Sequence, residues 1–166
     1  MSDYITIRDG MFLFWGGWPS QWYSSKFTID GIQYNCAEQW MMSEKARLFG
    51  DEKTLKDILE SKSPRKQKDY GRLVSNFNPD VWNQKCRDVV LQGNIHKFTQ
   101  NKDLKGLLVD TKDLVFVEAS PYDLIWGIGL SADDPDATDK SKWRGTNWLG
   151  EVLMSARDLI KEHDGL

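Results

Sequence analysis

The sequence contains few of the residues that build metal centres or disulfide frameworks. Its 166 residues include two cysteines, Cys36 and Cys86, and two histidines, His96 and His163. Their spacing does not match that of metal ligands, and both cysteines fall in predicted helices. We therefore predict no metal and no cofactor, and we expect two buried thiols in a reducing compartment.

Long apolar runs and an excess of positive charge are also absent. No apolar stretch reaches the roughly 18 residues of a membrane span, and the N-terminus lacks the basic and apolar segments of a secretory signal. These absences predict a soluble, cytoplasmic protein with no membrane partner. The formal charge of -3 and the isoelectric point near 5.4 argue against a general nucleic-acid coat protein, but they allow a small basic patch.

The chain likewise lacks repeats, low-complexity tracts and a glycine-rich phosphate loop, and its length predicts one domain over residues 1–166. What it has in excess is tryptophan, with eight residues. Tryptophan usually packs in the core, but it also stacks on bases and sugars. Five tryptophans lie in or beside the candidate site: Trp15, Trp18, Trp22, Trp40 and Trp126.

The segment Phe27–Phe49 has the strongest local signals. Two short alternating runs flank Asp30-Gly31, a pair that is typical of a β-hairpin turn. A helix follows, for which we predict Asn35 as the N-cap and Glu38 as the acid of a capping box.

On a helical wheel, one face of this helix carries two ionisable residues among apolar ones. Glu38 and Lys45 fall within the same arc of about 100° as Met41, Met42 and Phe49. They are seven residues apart, about 10.5 Å along the axis, which is wide enough to hold a sugar-sized ligand. Burying a charge is costly unless it is paired or used, so the pair is a candidate site. The alternatives are that Glu38 only caps the helix and that the Lys45 stem reaches out to water.

Two further segments carry candidate binding residues. The loop W-P-S-Q-W-Y offers Trp18, Gln21, Trp22 and Tyr23 as ligand contacts, although its aromatics could equally fold onto the core. The basic run that ends at Arg72 is either a solvated helix face or an edge that holds phosphate.

Near the C-terminus, a predicted buried strand runs into the segment Glu118–Leu130. There Asp123 follows a Ser-Pro turn, where it is either a catalytic acid or a turn cap. Trp126 is followed by Gly127 and Gly129, and these glycines indicate close approach of the backbone to a ligand or to another element. Asn147, which precedes the last predicted helix, either caps that helix or reaches into the site.

Together these segments resemble the NADAR (YbiA-like) family, over about residues 12–160. The resemblance implies an α+β fold, helix-rich with a small sheet. It rests on six motifs in order: P-S-Q-W-Y; the D-G-x-x-Y…A-E-Q-x-M-M-x-x-K-A block; Gly71-Arg72-Leu73-Val74; Trp82 with Lys85; Glu118–Leu130; and Gly145–Arg157.

The resemblance also implies hydrolysis of an N-glycosidic bond. Family members act on ribosylated amines, either early riboflavin-pathway intermediates or ADP-ribose attached to guanine in nucleic acid. Such chemistry passes through an oxocarbenium-like state and needs an anion near C1′ and an acid for the leaving nitrogen. The expected roles are Lys45 as the nucleophile, through a Schiff base, with Glu38 and Asp123 sharing proton transfer. The expected substrate contacts are Trp18, Gln21, Trp22, Tyr23, Met42, Arg72, Trp126, Gly127, Gly129 and Asn147.

Three functions stay open at this stage. The first is removal of ADP-ribose from guanine in nucleic acid or a nucleotide. The second is cleavage of phosphoribosylamine intermediates of riboflavin biosynthesis. The third is a non-catalytic module that binds ADP-ribose or NAD, for which a basic run and many tryptophans would suffice.

Overall fold

The computed structural model describes residues 3–166, so the first two residues of the predicted domain lie outside the described ones. None of the helices in this range is both long and apolar enough to span a bilayer. The strands are β1 (Ile5–Arg8), β2 (Met11–Phe14), β3 (Phe27–Ile29), β4 (Ile32–Tyr34) and β5 (Val115–Glu118). The helices are α1 (Ala37–Leu48), α2 (Glu52–Glu60), α3 (Pro64–Gly71), α4 (Pro79–Thr99), α5 (Lys102–Asp110) and α6 (Trp148–His163).

The prediction of a helix-rich α+β fold with small sheets is confirmed. Contacts divide the chain into two compact units, which we describe separately. The terminal unit comprises the described residues up to Ser20 together with Asp103–Leu166, and the central unit comprises Gln21–Lys102. The expectation of one domain over the whole chain stays a prediction.

In the terminal unit, three strands form a sheet in the order β1-β2-β5. β1 pairs antiparallel with β2 and lies at the edge, as predicted, and β2 pairs in parallel with β5. All four residues of β2 are buried because its aromatic side chains pack on the sheet, with the Phe12 and Phe116 rings 4.9 Å apart. α6 packs against β5 and covers this core.

The acidic sequence of residues 131–142 predicts an irregular surface loop, and this prediction is wrong in part. It forms two 3-10 turns, Pro135–Thr138 and Lys140–Lys142. Asp134 and Asp139 cap them by accepting bonds from the backbone N–H groups of Asp136 and Ser141. The acidic residues that suggested an irregular loop therefore serve as turn caps.

In the central unit, the predicted hairpin is confirmed, with β3 paired antiparallel to β4. Asp30 and Gly31 have φ values of 50° and 78°, as the two-residue turn requires. Asp51, Ser63-Pro64 and Asn78-Pro79 are sequence signals of helix N-termini, and the caps that they predict for the next helices are confirmed. The side chains of Asp51, Ser63 and Asn78 accept backbone N–H groups at the starts of α2, α3 and α4.

The prediction that Asn35 caps α1 is wrong. Cys36 occupies the N-cap position without a side-chain bond, while the Asn35 amide bonds the Lys62 carbonyl oxygen and the Gln67 side chain. The residue that reaches back to the Asn35 N–H is Gln39, at 2.8 Å. Glu38 therefore has no capping-box role, and this removes one of the structural explanations for its position on the helix.

The pair Gly93-Asn94 indicates a kink or a division of the helix. α4 nevertheless runs through both residues without a division. Gly93 allows close packing instead, because a Cβ at this position would lie 2.4 Å from Cδ1 of Trp40. The indole Nε1 of Trp40 also donates to the Val89 carbonyl oxygen at 2.8 Å. This contact fixes α1 against α4.

Gly71 provides the same kind of close packing between α1 and α3. A Cβ on Gly71 would lie 2.0 Å from Sδ of Met42, which is itself buried. We expect Gly71→Ala to lower the free energy of unfolding by about 1–3 kcal/mol, the usual cost of overpacking. Gly106→Ala is the control, because that exposed position on α5 has no atom within 4 Å of the added Cβ. It should be neutral or stabilising in the same denaturant titration.

Candidate active site

The predicted face of α1 carries Glu38 and Lys45 as the wheel indicated. Glu38 is only 6% exposed, and its backbone N–H donates to the Gln21 carbonyl oxygen at 2.9 Å. Lys45 is half-buried two turns further along the helix. The residues between them on this face, Met41 and Met42, are both buried. The two ionisable side chains therefore share an apolar environment.

Lys45 lies against aromatic rings. Its Nζ is 4.4 Å from the centroid of the Phe77 ring and 6.0 Å from that of Trp82. Burial lowers the pKa of Lys45 because an ammonium loses hydration there; the Glu38 carboxylate partly opposes this shift, and Arg72 adds to it. A lowered pKa increases the fraction of neutral, nucleophilic amine at a given pH.

Arg72 lies at the C-terminus of α3 and is exposed, with an ion pair to Asp69 at 3.8 Å. Exposed pairs of this kind contribute little stability, so the guanidinium is available to an anionic ligand. The other basic residues of the run, Arg65, Lys66 and Lys68, are exposed as well.

The predicted aromatic loop is divided between the two units. In the terminal unit, Trp18 is half-buried and packs on Phe12 and Phe116, with ring centroids 5.5 and 6.1 Å apart. In the central unit, Trp22 and Tyr23 are each 40% exposed. Trp18 therefore fits the core alternative. Trp22 and Tyr23 are partly exposed, and each has a lysine Nζ over its ring, Lys68 at 5.9 Å from the Trp22 centroid and Lys97 at 5.7 Å from the Tyr23 centroid.

The remaining predicted residues lie in the terminal unit, and their contacts are structural. Asp123 Oδ1 accepts the backbone N–H groups of Ile125 and Trp126, at 2.9 and 2.8 Å, and so caps that turn. A Cβ on Gly127 would meet the Glu118 carbonyl oxygen at 2.9 Å, and one on Gly129 would meet the Leu124 side chain at 2.6 Å. These glycines are required for packing of their own segment.

Asn147 is also held by the fold. It is 2% exposed and adopts a left-handed backbone with φ of 55°. Its side chain accepts the N–H of Glu118 and donates to the carbonyl oxygen of Phe116, both at 2.9 Å. The predicted capping role is wrong, because this side chain makes no bond to α6. Substrate contacts by Asn147, Met42, Gly127 and Gly129 stay predictions.

Sequence reasoning missed two buried polar residues on α4, Asn94 and Lys97. Both are 0% exposed. They continue the stripe formed by Trp82, Cys86 and Val90, so extending the predicted core face by two turns would have found them. Lys97 Nζ lies 5.7 Å from the centroid of the Tyr23 ring.

Lys97 and Cys36 influence each other's ionisation at the start of α1. Burial lowers the pKa of Lys97 to about 7, and burial raises the pKa of the Cys36 thiol to about 11. The thiol is therefore neutral at physiological pH and does not supply the lysine with a counter-charge. Lys97 is fully enclosed, unlike Lys45, so a substrate would reach Lys45 first.

The lowered pKa of Lys97 gives a testable dependence of stability on pH. Between the folded pKa of about 7 and an unfolded value of about 10.4, the unfolded chain binds a proton that the folded chain does not. The free energy of unfolding should therefore rise with pH in this window, by up to about 1.4 kcal/mol per unit. In Lys97→Met this contribution should be absent.

The measurement is urea unfolding of both proteins at pH 7, 8 and 9. The difference between wild type and variant isolates Lys97 from other titrating groups, including Cys36. An equal slope in the two proteins would show that Lys97 keeps its ordinary pKa.

Within residues 3–166, no cluster of three or more histidine, cysteine, aspartate or glutamate side chains is placed to hold a metal ion. The buried face of α1 presents a carboxyl group, Glu38, and an amine, Lys45. An acid can protonate a leaving nitrogen, and an amine can attack the anomeric carbon.

Comparison with known proteins shows the family to which the chain belongs. The NADAR domain family matches residues 13–161. The chain is 45% identical over 144 residues to N-glycosidase R617 of Acanthamoeba polyphaga mimivirus, covering 84% of this chain and 85% of that protein. It is 31% identical over 110 residues to the chloroplastic riboflavin biosynthesis protein PYRR of Zea mays, covering 64% of this chain but 16% of that protein.

A solved structure has the same fold. The NMR structure of the Escherichia coli protein YbiA superimposes with a TM-score of 0.78 at 24% identity, covering 98% of this chain and 91% of that one. The protein therefore belongs to the NADAR domain family, and the resemblance drawn from its motifs is confirmed.

Proposed function

We propose that the protein is an N-glycosidase that hydrolyses the bond between a ribose C1′ and the nitrogen of a base-type amine. The observation that carries the proposal is the placement of buried Glu38 and half-buried Lys45 on one face of α1. The name of the mimivirus relative, N-glycosidase R617, supports this class of reaction.

The reaction balances with these two side chains and one water molecule. The neutral Lys45 amine attacks C1′, the C1′–N bond breaks, and its electron pair goes to the base nitrogen, which takes a proton from an acid. The amine loses a proton and the C1′–O4′ bond opens, with protonation of O4′, to give a Schiff base. Water then adds at C1′ and releases the amine, leaving free ribose and free base.

We assign the acid to Glu38. Its carboxyl is nearly fully buried on the same face of α1 as the Lys45 amine. A catalytic role for Asp123, which lies in the terminal unit and whose Oδ1 accepts two backbone N–H groups, stays a prediction. Exposed Trp22 and Tyr23 supply stacking surfaces, and Arg72 supplies a cation for a phosphate.

The substrate we favour is ADP-ribose attached to guanine in a nucleotide or nucleic acid. An exposed arginine whose charge acts on the Lys45 amine suits a diphosphate, and partly exposed aromatic rings suit a purine. A small modified end would need few phosphate contacts, which agrees with a net charge of -3. The likeness to protein PYRR favours a second candidate, a phosphoribosylamine intermediate of riboflavin biosynthesis.

The deciding experiment incubates the purified protein with ADP-ribosylated guanosine and, separately, with a ribosylaminopyrimidine phosphate. Chromatography follows the released base, and calorimetry measures binding of ADP-ribose. Release from the first substrate supports the favoured function, and release only from the second supports the alternative. Binding of ADP-ribose without release from either would replace the enzyme with a binding module.

A further inference from the structure

Gln21 has one amide donor with almost no protein partner, and this donor lies beside the start of α1. Its backbone carbonyl oxygen accepts the N–H of Glu38 at 2.9 Å, so the residue is tied to the helix. Within residues 3–166, the one hydrogen-bond contact of its side-chain Nε2 is with Sδ of Met41, at 3.9 Å. Sulfur is a weak acceptor, so this N–H₂ group retains most of its donor capacity.

The orientation of that amide is imposed from α4. Asn94 Nδ2 lies 2.9 Å from the Val90 carbonyl oxygen, which can only accept, so the nitrogen rather than the oxygen of Asn94 must occupy this position. The same Nδ2 lies 2.9 Å from Gln21 Oε1, which must therefore be the acceptor. It follows that Gln21 directs Nε2 away from α4, towards Met41.

The side chain that holds Gln21 is buried but not fully hydrogen-bonded. It is 0% exposed, and its own Oδ1 has no hydrogen-bond partner within residues 3–166. A buried polar atom without a partner destabilises a protein, so its presence in a packed helix needs a reason. Fixing the Gln21 amide is a reason that the contacts themselves provide.

We propose that Asn94 is a positioning residue that makes Gln21 a hydrogen-bond donor to the leaving base of the substrate. The proposal rests on the proposed function, because Gln21 adjoins Glu38, the group assigned to protonate that base. The acceptor on the base is a carbonyl oxygen or a ring nitrogen. Gln21 and Asn94 thereby select bases that carry an acceptor near the nitrogen that is released.

Two variants replace the Gln21 N–H₂ donor with an oxygen acceptor, and neither changes the size of the side chain appreciably. Asn94→Asp removes the donor that holds Gln21 Oε1, so that Gln21 turns Nε2 towards α4 and presents its oxygen. Gln21→Glu also presents an oxygen instead of the N–H₂ donor, although Asn94 is intact, because the second carboxylate oxygen replaces Nε2. Gln33→Glu is the control, since it makes the same change at an exposed position of the central unit.

The first readout is selectivity between two substrates that differ in one acceptor, ribosylated guanine and the analogue without its carbonyl oxygen. We expect wild type and Gln33→Glu to favour guanine by tenfold or more in kcat/KM. In both test variants this ratio should fall to about one. An unchanged ratio in the variants would overturn the proposal.

The second readout needs no turnover. In the NMR spectrum of the free protein, the Gln21 side-chain amide protons should show a nuclear Overhauser effect to the Met41 methyl group, and Asn94→Asp should abolish it. Absence of this effect in wild type would overturn the assigned orientation. A wild-type protein that releases base from neither substrate contradicts the proposed function, while the NMR result still decides the orientation of Gln21.

Discussion

Lys45→Ala should lower kcat by about 10⁴- to 10⁶-fold, the range seen when single members of a catalytic triad are removed. Lys45→Arg should be equally inactive, because a guanidinium keeps the charge but stays protonated and cannot form a Schiff base. This pair of variants separates a nucleophile from a cation that merely binds phosphate. If Lys45 only bound the substrate through its charge, the arginine variant would retain most of the wild-type rate.

The control for these variants is Lys53→Ala, which removes an exposed lysine of α2. The pH profile provides a further check. Because burial lowers the pKa of Lys45, kcat/KM should rise with pH and reach half its maximum below the ordinary lysine value of about 10.4. A half-maximum at or above that value would show that the amine is not activated by its surroundings.

Glu38→Gln should lower kcat by about 10²- to 10⁴-fold, since the leaving nitrogen loses its proton donor. The loss should shrink for a substrate whose base is a better leaving group and needs less protonation. The residual activity should also titrate at lower pH than in wild type, because the Glu38 carboxylate raises the pKa of Lys45. That displacement follows from the loss of the Glu38 charge alone, so the dependence on the leaving group is the readout that tests the acid role.

Glu52→Gln, at an exposed acid in the first turn of α2, is the matched control and should leave both rate and pH profile unchanged. Thermal unfolding of Glu38→Gln should show a fold as stable as that of wild type, since the replacement has nearly the same size. If Glu38→Gln is inactive and its fold is altered, Glu38→Asp becomes the variant that tests the acid role. That variant shortens the acid, and it should recover part of the rate.

Signals that lie within a few residues were sufficient to predict much of the fold. Asp30-Gly31 sets the hairpin turn, and Ser63 and Asn78 precede prolines that start α3 and α4, so each outcome depends on local backbone chemistry. Asn35 failed as a cap because its amide is taken by Lys62 and Gln67, about 30 residues away in sequence. A local sequence pattern cannot show that these distant residues compete for the Asn35 side chain.

Part of the candidate site was also predicted from signals that lie within one short segment. The wheel identified Glu38 and Lys45 because charges on an apolar helix face are visible in one segment. Asn94 matters only through its contact with Gln21, which is 73 residues away. The grouping of residues up to Ser20 with Asp103–Leu166 in one compact unit likewise depends on contacts between distant parts of the sequence.

Reduction of the protein with borohydride during turnover of ADP-ribosylated guanosine, followed by mass spectrometry, tests the α1 chemistry most directly. A Schiff base would be trapped as a stable secondary amine that carries the reduced ribose. We expect this adduct on Lys45, with loss of tryptic cleavage after that residue, and no adduct in Lys45→Arg. Turnover that proceeds without any adduct, or with the adduct on Lys97, would contradict the assignment of Lys45 as the nucleophile.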